Sequence, residues 1–67
     1  MKVDINLSTG SELKEIRGIG SKIAQNIVQY RTNHGKFKDI EELKKITGIG
    51  SKRLEGMKDV VKINYEQ

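Results

Sequence analysis

Apolar positions along the chain fall into two matching sets. Leu13 and Ile16 lead into Gly18-Ile19-Gly20, and Ile23, Ala24, Ile27, Val28 and Arg31 then follow at three- and four-residue spacing. Thirty residues on, Leu43 and Ile46 lead into Gly48-Ile49-Gly50, followed by Leu54, Met57 and Val60 or Val61. Such spacing lines one face of a helix. Between Leu13–Ile27 and Leu43–Met57, eight of fifteen aligned positions are identical, including the whole Gly-Ile-Gly-Ser-Lys block. A short chain that carries one unit twice is built from two copies of a single supersecondary motif.

Local signals place the elements. Thr9-Gly10-Ser11-Glu12 fits a capping box, so a first helix is expected over about 10–16. Both glycines of the corner are expected to supply positive φ, with Ser21 as the N-cap of a second helix. That helix should run to about Asn33 and close at Gly35 in the left-handed conformation. Lys36-Phe37-Lys38 connects the units, with Phe37 plugging the gap between them. Asp39-Ile40-Glu41-Glu42 repeats the capping logic, which predicts a third helix over about 40–46 and a fourth over about 52–58. Val3-Asp4-Ile5-Asn6-Leu7 alternates apolar and polar; it is read as an extended arm in preference to a strand. Residues 64–67 read as a frayed tail. The expectation is one all-α domain over 1–67, with internal repeats at about 9–33 and 39–61. Its four short helices would pack about a pseudo-two-fold axis.

Composition narrows the function. At 67 residues and 34% apolar content, the chain can build only one thin core. Cysteine is absent, which excludes disulfides and thiolate metal sites, and the lone His34 makes no metal site. No apolar run reaches the ~18 residues of a membrane span, and the N-terminus lacks a signal-peptide stretch. A complete chain would therefore be expected in the cytoplasm. If it is a cut-out domain, these absences say nothing about location.

The net charge of +4 is modest, but its placement is informative. Arg17, Lys22, Lys52 and Arg53 flank the two corners, and no acid falls within 17–28 or 46–54.

The corners are the candidate site. Glycine leaves the main chain open to a ligand, and the helix that follows begins with N–H groups lacking intrahelical partners. Loop amides and helix-end amides pointing one way suit phosphate. Gly18, Gly20, Ser21, Gly48, Gly50 and Ser51 would offer amides; Arg17, Lys22, Lys52 and Arg53 would add charge. Ile19 and Ile49 belong to the motif, most naturally folding back to support it. Two such sites on one rigid body act at high effective concentration. Backbone contacts to phosphate carry no base information, so binding without sequence preference is expected.

These residues carry a resemblance. The unit resembles the helix-hairpin-helix motif, and the pair resembles the tandem helix-hairpin-helix domain. The order Ile5-Asn6, Ser8-Thr9, Glu12-Leu13, Gly18-Ile19-Gly20, Ile23-Ala24, Ile27, Tyr30-Arg31, Gly35, Phe37, Glu41-Glu42-Leu43, Gly48-Ile49-Gly50 is similar to the DNA-binding domain of the ComEA family of competence DNA receptors. The resemblance implies nonspecific double-stranded DNA binding through the hairpin amides, with Gly18, Ile19, Gly20, Gly48, Ile49 and Gly50 in the motif positions. Some relatives hold a monovalent cation with hairpin carbonyls, and the resemblance leaves room for one here; no other cofactor is expected. The family often has Pro flanking the glycines, where this chain has Arg17, Ser21, Thr47 and Ser51.

Enzymatic motifs fail: the corner lacks the third glycine and preceding strand of a dinucleotide fingerprint, and lacks Walker-loop spacing. No enzyme activity, small-molecule substrate or membrane contact is expected, and the chain is expected to be monomeric. The runner-up reading is a protein-interaction module, which an exposed apolar patch beside Tyr30, Phe37 or Met57 would favour.

Overall fold

The computed structural model describes residues 2–65. Its elements are β1 (Val3–Asp4), α1 (Gly10–Leu13), α2 (Ser21–His34), a 3₁₀ helix (Ile40–Lys45), α3 (Ser51–Met57) and β2 (Val61–Lys62). The all-α expectation holds, with one small addition. The N-terminal arm is not merely extended: β1 pairs in parallel with β2, Val3 opposite Val61 and Asp4 opposite Lys62. Parallel strands need a long crossover, and here the crossover is nearly everything between the two ends.

The first helix of each unit departs from expectation for one reason. Leu13, Ile16 and Ile19 are all buried, as are Leu43, Ile46 and Ile49. A three-residue period suits a 3₁₀ winding, in which residues three apart share one line. The backbone follows that period: Ile16 N–H donates to Leu13 C=O at 3.1 Å and Ile19 N–H to Ile16 C=O at 3.0 Å, with matching bonds from Ile46 and Ile49. So α1 ends at Leu13 instead of reaching Ile16, and the third helix is 3₁₀ instead of α.

Caps account for the starts. Thr9 and Glu12 form the full capping box, at 3.2 and 2.8 Å. Asp39 caps Glu42 N–H at 3.1 Å, but Glu42 turns away and accepts from Lys38 N–H at 2.8 Å. Its second oxygen accepts from the Tyr30 hydroxyl at 2.8 Å. Those bonds hold the Glu42 carboxyl below its ordinary range, the Lys38 amide contributing most, and the bond to Glu42 raises the Tyr30 hydroxyl.

Ten core residues form five pairs thirty apart: Leu13 and Leu43, Ile16 and Ile46, Ile19 and Ile49, Ala24 and Leu54, Ile27 and Met57. Ile5, Phe37 and Val61 complete the core. Of the two candidate valines, Val61 is buried and Val60 is 40% exposed. Phe37 plugs the seam as expected, stacked on Tyr30 at 4.7 Å between ring centroids. What pins it is Asn6, whose side chain accepts from Phe37 N–H at 2.7 Å and donates to Phe37 C=O at 2.9 Å. Asn6 also donates to Asn64 C=O at 2.9 Å, so the expected frayed tail is held at its first residue. Residues 66 and 67 of that tail lie outside the described residues. Arg31, placed on the helical face by its spacing, donates to the carbonyls of Ile5 and Ser8 at 2.8 and 2.6 Å and ties the arm to α2.

Candidate nucleic-acid interface

The two corners share one backbone. Gly18 and Gly48 take φ of 90° and 101°. Gly20 and Gly50 do not take positive φ, contrary to expectation: they are extended, at φ −90° and −105°. They are also the N-caps, a role expected of Ser21, so Ser21 and Ser51 open their helices instead. The corner needs only one left-handed glycine because the Ile that follows closes an i→i+3 bond, after which the chain runs extended into the helix.

At its other end, α2 runs one residue past Asn33, to His34, and α3 occupies Ser51–Met57. Gly35 has φ of 86°, but its ψ of −173° is extended, so the helix does not close in the expected left-handed conformation.

Helix starts in this fold are of two kinds. The first helix of each unit is capped by side chains, at Thr9 and Asp39. The second helix of each unit has no side-chain cap and no acid in its first turn. Among the described residues, the N–H groups of Gly20, Ser21, Lys22 and Ile23 have no partner, nor do those of Gly50, Ser51, Lys52 and Arg53. These are the donors a helix start leaves over. The macrodipole of the fourteen-residue α2 adds partial positive charge there, and that of the seven-residue α3 adds less.

Reciprocal contacts bring the corners together. Ile23 covers Gly48, where a Cβ would lie 2.9 Å from Ile23 Cγ1. Arg53, at the equivalent place in the second unit, covers Gly18, where a Cβ would lie 2.7 Å from its Nη1. Asn26 Nδ2 also donates to Thr47 C=O at 3.2 Å. The corners therefore sit side by side across the pseudo-two-fold axis.

The expected site residues divide three ways. Gly18, Gly20, Ser21, Lys22, Arg17, Gly48, Gly50, Ser51 and Lys52 are exposed. Ile19 and Ile49 are 3% exposed and their N–H groups close the corners, so they support the loops and have no amide to offer. Arg53 is exposed but engaged: its Nε donates to Gly48 C=O at 3.0 Å and its Nη1 to Gly18 C=O. Sequence reasoning missed that engagement, and missed Asn6 as the pin of the seam. A polar residue at the place where the other repeat has Ile was the available signal for Arg53.

Away from the corners two lysines are paired, while Lys14, Lys36, Lys38, Lys45 and Lys62 form no ion pair among the described residues. Lys44 and Lys58 pair with Glu41 and Glu55 at 3.1 to 3.8 Å, holding the Glu41 carboxyl below its ordinary range and raising the Lys58 ammonium. Among the described residues, Arg17, Lys22 and Lys52 form no ion pair, which leaves net positive charge at the corners. No cluster of three metal-ligating side chains exists among the described residues, and no described helix is long and apolar enough to cross a membrane.

Two helical hairpins related by a pseudo-two-fold axis define a tandem hairpin domain. The helix-hairpin-helix motif family matches residues 1–62, and the chain belongs to that family. It is 39% identical over 61 residues, 91% of its length, to ComE operon protein 1 of Bacillus subtilis. It is 51% identical over 43 residues, 63% of its length, to an uncharacterized protein of Haemophilus influenzae. Over 41 residues, 61% of its length, it is 54% identical to endonuclease/exonuclease/phosphatase family domain-containing protein 1 of Danio rerio. The chain spans 30%, 38% and 8% of the lengths of these three relatives.

Proposed function

We propose that this domain binds double-stranded DNA without sequence preference, as a monomer, by seating one phosphate at each hairpin. The reading is carried by the pair of uncapped helix starts held side by side with free N–H groups. Membership of the helix-hairpin-helix family and the similarity to ComE operon protein 1 support it, and point to a DNA-receptor role in competence. Catalysis is not part of the proposal: the match to the endonuclease/exonuclease/phosphatase relative covers 8% of that protein.

Each half would work in the same way. Amides of Gly20, Ser21 and Lys22, and of Gly50, Ser51 and Lys52, donate to phosphate oxygens; Arg17, Lys22 and Lys52 supply full charge. Two sites related by a two-fold axis match the symmetry of the two strands of a duplex. Three ion-pair contacts predict a log–log salt slope of roughly −2 to −3, with affinity near the ~10⁻⁴–10⁻⁶ M of nonspecific binding. The protein-interaction reading would need an exposed apolar patch beside these residues: Phe37 and Met57 are themselves 0% and 1% exposed and Tyr30 is half-buried against Phe37, while Val60, bonded to the Met57 carbonyl, is 40% exposed.

Fluorescence anisotropy with random duplex at several salt concentrations tests the proposal, alongside Gly20→Glu combined with Gly50→Glu. A Cβ at either position meets nothing within 4 Å and neither φ is positive, so the double variant should keep its helix content. It should lose DNA binding. Wild-type affinity in a folded double variant would end the hairpin mechanism.

A further inference from the structure

Ile23 and Arg53 occupy the same place in the two repeats and act differently on the opposite hairpin. Ile23 offers van der Waals contact to Gly48, whereas Arg53 offers a planar charged fork. Nε takes the carbonyl of Gly48 in its own unit and Nη1 takes the carbonyl of Gly18 in the other. One guanidinium therefore binds the same carbonyl in both hairpins. Two peptide oxygens turned toward one point make a cation site, and here the cation belongs to the chain.

The consequence runs through the peptide groups. The Gly18 carbonyl shares its peptide with the Ile19 N–H that closes the first corner on Ile16; the Gly48 carbonyl shares its peptide with the Ile49 N–H that closes the second on Ile46. A cation on the carbonyl polarises that peptide and strengthens the bond its N–H donates. Arg53 thus stiffens both corners while fixing the distance between them. An exchangeable metal cation does not fit the same two carbonyls, because a second positive charge would sit against the guanidinium.

We propose that Arg53 is a positioning residue, not a phosphate contact: it locks the two hairpins into one unit and takes the place of a monovalent cation. The proposal rests on the duplex-binding reading above. A phosphate contact and a clamp differ in what they do to salt dependence. Removing a phosphate-contacting charge flattens the log–log slope by about one, whereas removing a clamp weakens binding and leaves the slope alone.

The experiment compares wild type, Arg53→Gln and Arg53→Lys, with Lys22→Gln and Lys52→Gln as charge-loss references, on random duplex across a salt series. The lysine references should each flatten the slope by about one. R53Q should lose roughly tenfold in affinity at fixed salt, the size of one charge-assisted hydrogen bond, with its slope unchanged. R53K keeps the charge but not the fork, and should not restore affinity. Wild-type affinity should be equal in sodium, potassium and tetramethylammonium at one ionic strength. A readout without DNA runs beside these: the Arg53 Nε–H should exchange slowly with water by NMR, and R53Q should shift the amide resonances of Ile19 and Ile49 together. Circular dichroism checks folding; if R53Q does not fold, R53K and the wild-type Nε–H exchange decide. A flattened slope in R53Q with rescue by R53K, a preference for one alkali cation, or fast Nε–H exchange would overturn the proposal. Wild type failing to bind duplex would instead overturn the functional reading, and the NMR readout would still judge the clamp.

Discussion

The two hairpins have the same backbone and different side-chain support. Their corner φ values agree to within about ten degrees at the first glycine and fifteen at the second, and each Ile closes its corner at 3.0 Å. Around that frame the first unit has Arg17 and a fourteen-residue helix, where the second has Thr47 and a seven-residue helix. The second unit has Arg53, which serves both. Glycine placement and burial of the loop Ile set the corner geometry, so the remaining positions are free to diverge. On the proposed function the first hairpin would be the stronger anion site on its own, and the second would supply the link.

Single substitutions separate the halves most sharply. Gly20→Glu should weaken duplex binding more than Gly50→Glu, by several-fold, because it removes the hairpin with the longer helix dipole and the extra arginine. Anisotropy at low salt measures both; equal losses would mean that the hairpins contribute alike.

Stability comes next. Gly18→Ala and Gly48→Ala each force a side chain into the left-handed region, at about 1–2 kcal/mol. At Gly48 the new Cβ also meets Ile23 Cγ1 at 2.9 Å and Cδ1 at 3.1 Å, on a side chain held in the seam. At Gly18 it meets the Nη1 of Arg53, and relieving that contact costs the charge-assisted bond to the Gly18 carbonyl. Denaturant unfolding should therefore show both variants losing more than the backbone strain alone, by roughly 1 kcal/mol each, from overpacking at Gly48 and from the lost Arg53 bond at Gly18.

The equivalent glutamates also differ in their bonds, Glu12 closing its capping box and Glu42 turning to Lys38 and Tyr30. Glu42 titrates below its ordinary value of 4.5 in the folded chain. Its contribution to stability is complete above that value and is lost as pH falls through the folded value. Glu42→Gln should remove that part of the acid dependence, with the Glu41 part remaining, as read from melting temperature between pH 6 and 3.

The smallest effect is expected at Gly56, where the first repeat has Asn26. Gly56 sits inside α3, a Cβ there meets nothing within 4 Å, and its φ is not positive. Gly56→Ala should stabilise by ~0.5–1 kcal/mol without touching DNA affinity, making the second helix more like the first.

Much of the fold was legible in the residues. The repeat, the capping box at Thr9, the plug at Phe37 and the burial of Ile19 and Ile49 follow from spacing and local chemistry. The 3₁₀ winding was also written there, in the Leu-Ile-Ile period of three, but over so short a run that period is hard to tell from the 3.6 of an α-helix. The free helix starts were legible as Gly-Ser-Lys with no acid nearby. The true N-caps were not, because glycine and serine both suit that position and only the backbone tells them apart.

The chain by itself determined its two corners, its helices and the five paired core positions, because each depends on residues a few places apart. Tertiary structure decided the rest: Asn6 on Phe37, Val3 beside Val61, Ile23 over Gly48, and Arg53 on the carbonyls of both hairpins. Those partners lie between 5 and 58 residues apart, and all but one of the separations exceed 20. No local pattern encodes them. They meet only when two half-buried units close on one another, and that closure is what sets the two hairpins side by side.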